Sequence, residues 1–178
     1  MPDSTLTTAE RAFLTELDRL GVRFMVVGMS GALIQGARGA TEDIDLWFED
    51  VTDSRIAEAA RASGGIWISG SFGMGPPRVG GEALSERFGI VTHMSGLGDF
   101  ASEYEWVRRE TIDGVPIPVL SLRRILESKR AANRPKDTAI LHALEDALAL
   151  LDAGEPRDGW PSRRCGVRAW RGASRAGR

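Results

Sequence analysis

The sequence predicts an α/β (α+β) fold in which a small mixed sheet is covered by helices. Three observations support this prediction. A length of 178 residues suits one domain with a single core. Apolar residues recur at helical spacing in some segments and form short strand-like runs in others. An Asp113-Gly114 pair between two β-branched runs marks a hairpin. The predicted order is helix, strand, helix, strand, helix, strand, hairpin and two helices.

The first half of the chain alternates helices and strands. Thr7 and Glu10 have the spacing of a capping box, so a helix is predicted to begin here and to end at Gly21. The elements predicted next are a strand over 22–27, a turn over 28–31 that opens a helix, a loop over 36–41, a strand over 43–48 and a helix over 54–62.

The second half begins with a stretch over 64–81 that is rich in glycine and proline. It has no regular period and is predicted to be an irregular connection, either functional or mobile. The remaining predictions are a strand over 88–94, hairpin strands over 106–112 and 115–120, a helix over 121–132 and a last helix from Pro135 to about Leu151. The predicted domain covers 1–153, with its last two helices, 121–153, packing on the rest.

Composition excludes several classes of protein. Cys165 is the only cysteine, which excludes an intramolecular disulfide and favours a reducing cytoplasm. The two histidines, His93 and His142, are too few for a structural zinc site, so a catalytic metal would have to be a hard cation held by carboxylates. No apolar run is long enough to span a bilayer, and the first residues lack the features of a secretion signal. We therefore expect a cytoplasmic protein without a membrane partner.

The net charge of −2 hides an asymmetry along the chain. Residues 157–178 contain seven arginines and one acidic residue, a charge of +6, so the residues before them carry −8. The segment 154–178 is accordingly predicted to be a basic, disordered tail. Such a tail suits contact with RNA or an acidic partner, although a dispensable solvated extension is the simpler interpretation.

Asp43 and Asp45 form the sharpest motif. Residues i and i+2 of a strand point to the same side, so both carboxylates would face one way while Ile44 and Leu46 face the core. Two close carboxylates repel each other unless a cation neutralises them, and Mg²⁺ (or Mn²⁺) held between carboxylates and substrate phosphates suits the pair. Alone, an Asp-x-Asp motif is more often a polar strand edge.

A second motif lies upstream of the carboxylate pair. The segment 28–31 reads Gly-Met-Ser-Gly, directly follows an apolar strand and opens a helix. Backbone N–H groups and the positive end of a helix dipole can hold a phosphate at such a turn, and glycine permits close approach. If the two motifs lie at the ends of adjacent strands, the glycine turn would hold the phosphates and the carboxylate pair would hold the magnesium ion. The two motifs together therefore predict one site for both groups.

These two motifs resemble those of nucleotidyltransferases of the DNA polymerase β-like superfamily. The resemblance rests on Gly28, Ser30, Asp43 and Asp45, and covers about residues 6 to 151. The segment 128–137, Ser-Lys-Arg-Ala-Ala-Asn-Arg-Pro-Lys-Asp, is similar to a segment of small bacterial members. Some relatives of that group act as toxins of toxin–antitoxin pairs.

The resemblance implies an enzyme that transfers a nucleoside monophosphate from a nucleoside triphosphate to a hydroxyl acceptor. Asp43 and Asp45 would be the catalytic metal ligands, and Gly28 and Ser30 would contact the phosphates. The other residues implied for the nucleotide site are Lys129, Lys136 and Asp137, with Arg134 beside them and Asp137 orienting Lys129 or a base. The acceptor is RNA (tRNA included), protein or a small molecule, and an antitoxin-like partner is a further expectation.

The sequence departs from the family pattern at two positions. Met29 replaces the second glycine of the turn. Gly89 aligns with a third carboxylate that active members carry on a later strand and that deprotonates the attacking hydroxyl, so Glu86 or His93 would have to substitute for it. The alternative function is a catalytically degenerate module that binds a nucleotide or a protein partner.

Overall fold

The structure is a computed structural model that describes residues 6–70, 75–84 and 87–154. Helices and strands alternate up to residue 68, and two further strands, a short helix, a hairpin and three helices follow. The elements are α1 (Thr8–Arg19), β1 (Phe24–Val27), α2 (Gly28–Ile34), β2 (Ile44–Phe48), α3 (Ser54–Ala62), β3 (Ile66–Ile68), β4 (Arg78–Gly80), β5 (Phe88–Val91), α4 (Phe100–Tyr104), β6 (Val107–Ile112), β7 (Val115–Leu120), α5 (Leu122–Ala132), α6 (Pro135–Thr138) and α7 (Leu141–Gly154).

A mixed sheet of five strands in the order β5-β2-β1-β7-β6 forms the centre of the molecule. β1 is antiparallel to β2 and parallel to β7, while β5 is parallel to β2 and β6 is antiparallel to β7. The carboxyl ends of β1 and β7 therefore lie at the same sheet edge as the amino ends of β2, β5 and β6. We call this the site edge, because both motifs of the first half lie on it.

Helices cover both faces of the sheet, and β1 is buried along its whole length. Phe24 and Val26 belong to a core with α1 and α3, whereas Met25 and Val27 belong to a second core with α5 and α7. This alternation follows from the two-residue period of a strand and gives β1 an unbroken apolar sequence. The predicted mixed sheet with covering helices is confirmed.

Local signals located α1, α3 and the hairpin correctly. Thr7 and Glu10 form the reciprocal bonds of a capping box. Gly21 has a φ of +68° and ends α1 in a Schellman motif, in which the N–H of Val22 donates to the carbonyl of Leu17. Val22 therefore belongs to the end of the helix, and the strand predicted from 22 begins at Phe24 instead.

The prediction of an irregular connection over 64–81 is wrong where the structure describes it. β3 and β4 form a two-stranded antiparallel ribbon, with Trp67 paired to Val79. Trp67 packs edge-on against Phe48 at a centroid distance of 5.7 Å, so a contact distant in sequence supports strands of three residues. Residues 71–74 of this stretch lie outside the described residues.

Three other predictions need correction. The strand expected over 88–94 ends at Val91, because its partner β2 offers no pairing beyond Trp47. The helix α4 was not predicted; Asp99 caps it by accepting a hydrogen bond from the N–H of Ser102. The single helix expected from Pro135 is split into α6 and α7, since the N–H of Ile140 donates to the carbonyl of Asp137 three residues back.

The basic tail predicted over 154–178 lies outside the described residues from position 155 onward. Among the helices of the part that the structure describes, none combines the length and the apolar character needed to cross a bilayer.

Candidate functional site

The glycine turn and the Asp-x-Asp motif meet at the site edge. β1 ends at Val27, which pairs with Asp45 of β2, and the next residue, Gly28, begins α2. The same Asp45 pairs on its other side with Gly89 of β5. Antiparallel pairing of β1 with β2 thus places two motifs that are distant in sequence side by side.

Asp45 lies between two glycines. A Cβ atom built on Gly28 would lie 2.1 Å from Oδ2 of Asp45, and one built on Gly89 would lie 2.6 Å from Oδ1. Both distances are shorter than real side chains show, so the carboxylate occupies space that side chains at 28 and 89 would fill. Gly28 also has a φ of +64°, in the left-handed region that favours glycine. Because Gly28 has no side chain, the Asp45 carboxylate can lie directly against the main chain of the turn.

Charged groups around Asp45 act on one another. Burial raises the pKa of the Asp45 carboxyl above its ordinary value; the charge of Lys129 opposes this, that of Asp43 adds to it, and that of Lys136 opposes it. Asp43 itself is exposed. Neither aspartate forms an ion pair with any residue in the described ranges. Both carboxylates are therefore available to an external cation.

Ser30 connects the two strands at this point. Its hydroxyl donates to the carbonyl of Val27 at 3.0 Å and accepts from the backbone N–H of Asp45 at 3.1 Å. The side chain is buried. Because its single proton is donated to Val27, a direct bond from Ser30 to a phosphate oxygen would require that bond to break. In the observed conformation Ser30 holds Asp45 in position.

The segment predicted to recognise the nucleotide folds back on itself. Asn133 ends α5 in the left-handed conformation, with a φ of +46°. The chain reverses there and brings Asp137, which is completely buried, to within 2.8 Å of Nζ of Lys129 and 2.5 Å of Nε of Arg134. Burial raises the pKa of Asp137, but the hydrogen bonds from Arg134 and Lys129 outweigh burial, and the pKa lies below its usual range. Asp137 therefore fixes Lys129.

Lys136 is exposed on α6, one residue before Asp137. Its charge, like that of Lys129, lowers the pKa of Asp45. The two lysines come from either side of the break between α5 and α6, and both act on the same carboxylate. The structure thus brings the motif of the second half to the motifs of the first.

The position of the third carboxylate carries no side chain. Gly89 lies directly beside Asp45, so the aligned position is spatially at the site. No cluster of three or more aspartate, glutamate, histidine or cysteine residues that could hold a metal occurs within the described ranges. Glu86, proposed as a substitute from the sequence, lies outside the described residues.

His93 does not substitute for the missing acid. β5 runs away from the site edge, and His93 lies beyond its last residue, Val91. It lines an open groove at the opposite edge of the sheet, together with Glu49 and Asp50. The suggestion that His93 acts as the general base is therefore wrong.

The residues present fit a single hard divalent cation. Mg²⁺ is commonly bound through one or two carboxylates, with water and substrate phosphates completing the shell. Asp43 and Asp45 would supply two oxygen ligands, and neither has a competing ion pair with a described residue. Burial, the main cause of the raised pKa of Asp45, disfavours the charged carboxylate, which a bound cation would stabilise.

A small cavity beside Asp43 was not anticipated from the sequence. Its volume is about 90 Å³. Apolar side chains of α1, α2, β2, β6 and β7 form most of the wall, and Arg87 and Thr41 are among its polar members. No spacing rule could reveal it, since its residues come from five elements that meet only in the folded chain.

Comparisons with known proteins identify the fold. No protein-family model and no curated protein matches the chain. A crystal structure of ANT(2″)-Ia in complex with adenylyl-2″-tobramycin is 16% identical, with a TM-score of 0.54 over 80% of this chain and 87% of that one. A solution structure of the antibiotic-resistance factor ANT(2″)-Ia is 16% identical, with a TM-score of 0.56 over 82% and 84%.

A third similar structure is an antigenic nucleotidyltransferase-like protein from Paracoccidioides brasiliensis, 16% identical, with a TM-score of 0.47 over 82% of this chain and 78% of that one. The similarity to the two ANT(2″)-Ia structures shows that this chain shares their fold.

Proposed function

We propose that the chain is a magnesium-dependent nucleotidyltransferase that moves a nucleoside monophosphate from a nucleoside triphosphate to a hydroxyl acceptor. The observation that carries the proposal is the meeting of Asp43 and Asp45 with Lys129 and Lys136 at one sheet edge. Two acids without ion pairs to the described residues, and two lysines beside them, complement a metal-bound polyphosphate, which carries both positive and negative charge.

Each residue has a distinct role in this proposal. Asp43 and Asp45 would hold the metal, which when bound neutralises phosphate charge and orients the triphosphate. Lys129, fixed by Asp137, would place its ammonium group against the triphosphate, and Lys136, which is exposed, would add a second positive charge. The open main chain at Gly28 lets a phosphate oxygen approach closely.

The transfer itself is an in-line displacement. The acceptor oxygen bonds to the α-phosphorus while the bond from the α-phosphorus to the bridging oxygen breaks. Pyrophosphate leaves, and the proton of the acceptor hydroxyl passes to solvent water. The solved complex of ANT(2″)-Ia with an adenylylated tobramycin supports a small-molecule hydroxyl as one acceptor class. RNA, including tRNA, and protein hydroxyls are the other classes that the proposal includes.

Titration calorimetry with ATP and GTP tests the nucleotide site. With Mg²⁺ present we expect binding by the parent protein and at least tenfold weaker binding by the Asp43→Asn/Asp45→Asn variant, since two ligands are lost. Asp146→Asn, which changes an exposed aspartate on α7, is the matched control. Equal binding by the parent and the double variant would contradict the proposal.

A catalytically degenerate module is the second candidate, and Gly89 is the observation that favours it. Such a protein would bind the nucleotide, or only a protein partner such as an antitoxin, without transferring anything. Radiolabelled nucleoside triphosphates offered with total tRNA, total protein and aminoglycosides separate the two candidates. Label transfer by the parent protein, lost in the double variant, identifies the enzyme; magnesium-dependent binding without transfer identifies the module.

A further inference from the structure

A cavity of about 250 Å³ lies apart from the Asp43/Asp45 site. It is enclosed by the start of β6, the start of α5 and the end of α7. None of the residues assigned above to metal or nucleotide lines it. Its wall combines two uncharged polar residues, Ser121 and Gln35, with two arginines, two acidic residues and an apolar group around Trp106.

Ser121 is the residue before α5, where a serine side chain normally accepts a bond from the first turn of the helix, yet no such bond forms. The residue is only 9% exposed, and Oγ has no hydrogen-bond partner among the described residues. A buried hydroxyl without a partner destabilises a protein, so one that lines a cavity points to a ligand that completes it.

The first turn of α5 adds further donors. Gln35 Oε1 accepts the N–H of Leu122 at 2.9 Å. The N–H groups of Arg123 and Arg124 have no acceptor in the described part of the chain. α5 has eleven residues, so the positive end of its dipole acts here as well. These donors favour an anion.

The charged side chains of the wall carry both signs. Arg108 and Arg123 line the cavity, and so do Glu105 and Asp152. Asp152 is bound by Arg123 at 3.0 Å, so its charge is largely compensated. The side-chain charges therefore nearly balance, and the helix end with its N–H groups makes the local field positive.

The remaining wall is apolar. Trp106 is 48% exposed, unusually high for a large aromatic side chain, and Leu148 and Leu151 line the same cavity. A cavity of about 150 Å³ can hold benzene, so 250 Å³ accommodates roughly ten non-hydrogen atoms. The site combines an anion end with a space for an apolar ring or chain.

We propose that this cavity binds a small organic anion, with its carboxylate or phosphate at Ser121 and the α5 N-terminus and its apolar group against Trp106. It is a second ligand site, independent of the nucleotide. The carboxylate and phosphate forms share the same recognition and are separated by the choice of probe.

Calorimetric titration with phenyl phosphate and with phenylacetate, and with benzyl alcohol as the neutral analogue, tests the proposal. We expect one or both anions to bind at least tenfold more tightly than benzyl alcohol. Ser121→Ala and Arg123→Gln should each weaken anion binding about tenfold, the effect of losing one hydrogen bond to a charged group. Arg130→Gln is the control, because Arg130 pairs with Glu145 of α7 as Arg123 pairs with Asp152, but does not line the cavity.

Two further measurements make the outcome decisive. Ser121→Ala should melt at the same or a higher temperature, because the hydroxyl has no partner among the described residues to lose; a lower melting temperature would show that it caps α5 and would overturn the proposal. Asp43→Asn/Asp45→Asn should bind the anions unchanged, which separates this site from the proposed nucleotide site. Anion binding that is insensitive to Ser121→Ala, or that disappears in Lys129→Ala, would also overturn it.

Discussion

Replacing Gly28 with alanine is expected to destabilise the protein and to displace the Asp45 carboxylate. Two separate effects act on this position. The backbone has a φ of +64°, and the new methyl group would lie 2.1 Å from Oδ2 of Asp45. Gly36 has a φ of +91°, and a methyl group added there would meet no described atom within 4 Å, so it shares the first effect and lacks the second.

The magnitude follows from these two contributions. A left-handed conformation costs an alanine about 1–2 kcal/mol. The contact with Asp45 is relieved when the short carboxylate turns away, at about 1 kcal/mol for an unfavourable rotamer. Gly36→Ala should therefore lose about 1–2 kcal/mol and Gly28→Ala about 2–3 kcal/mol, a difference of roughly 3 °C in melting temperature for a chain of this size.

Thermal and urea unfolding of four proteins measures the coupling: the parent, Gly28→Ala, Asp45→Ala and the double variant. In the Asp45→Ala variant, the nearest remaining side-chain atom of residue 45 is Cβ, 3.3 Å from a methyl group added at Gly28. The extra destabilisation of about 1 kcal/mol should therefore disappear. Gly28→Ala should also lose Mg²⁺-dependent nucleotide binding to the same extent as Asp45→Ala. Strict additivity, together with unaltered nucleotide binding, would refute the assigned contact.

Three other predictions concern the charged groups. Asp45→Asn should stabilise the protein by about 1 kcal/mol at neutral pH. Because burial raises the pKa of Asp45, the protonated carboxyl contributes stability below the ordinary carboxyl pKa, and this contribution is lost as pH rises through the raised pKa of the folded protein. The melting temperatures of parent and variant should therefore converge as pH falls to about 4. Asp137→Asn should cost about 2 kcal/mol at neutral pH, since Lys129 loses its buried partner, whereas the exposed Arg134 adds little. The pKa of Asp137 is lowered, so its stabilisation is present above the ordinary carboxyl pKa and lost as pH falls through the lowered one; a variant as stable as the parent in urea at neutral pH would contradict this. Lys129→Met should weaken triphosphate binding about tenfold in calorimetry while leaving the adenosine affinity unchanged, and an equal loss for adenosine would argue against a phosphate contact.

Sequence was most informative where the determining contacts are local. The capping box of Thr7 and Glu10 and the hairpin at Asp113-Gly114 each involve only a few neighbouring residues, and both elements occur where they were expected. The adjacency of the strands that carry Gly28 and Asp45 was also predicted from the two motifs, and β1 pairs with β2 at this point.

Sequence failed where the decisive partner is distant. Strands β3 and β4 depend on Trp67 packing against Phe48, which composition cannot reveal. The apolar residues after Pro135 keep a helical spacing, so the sequence gives no sign that the helix is interrupted. The interruption is visible only in the structure, where the N–H of Ile140 bonds to the carbonyl of Asp137. The bonds of the Ser30 hydroxyl to the main chain of two strands could not be predicted either, because they join residues that are brought together only by the pairing of β1 with β2.

Gln35 holds two helices of the proposed nucleotide site in a fixed position relative to each other. Its buried side chain donates to the carbonyls of Gly31 and Leu120, each at 2.9 Å, and accepts the N–H of Leu122. It thereby ties α2, which starts at Gly28, to α5, which carries Lys129. Sliding one helix past the other would break three buried bonds, about 1 kcal/mol each. The distance between Gly28 and Lys129 is accordingly expected to stay the same when a nucleotide binds, so both parts of the proposed nucleotide site are already in position in the free protein.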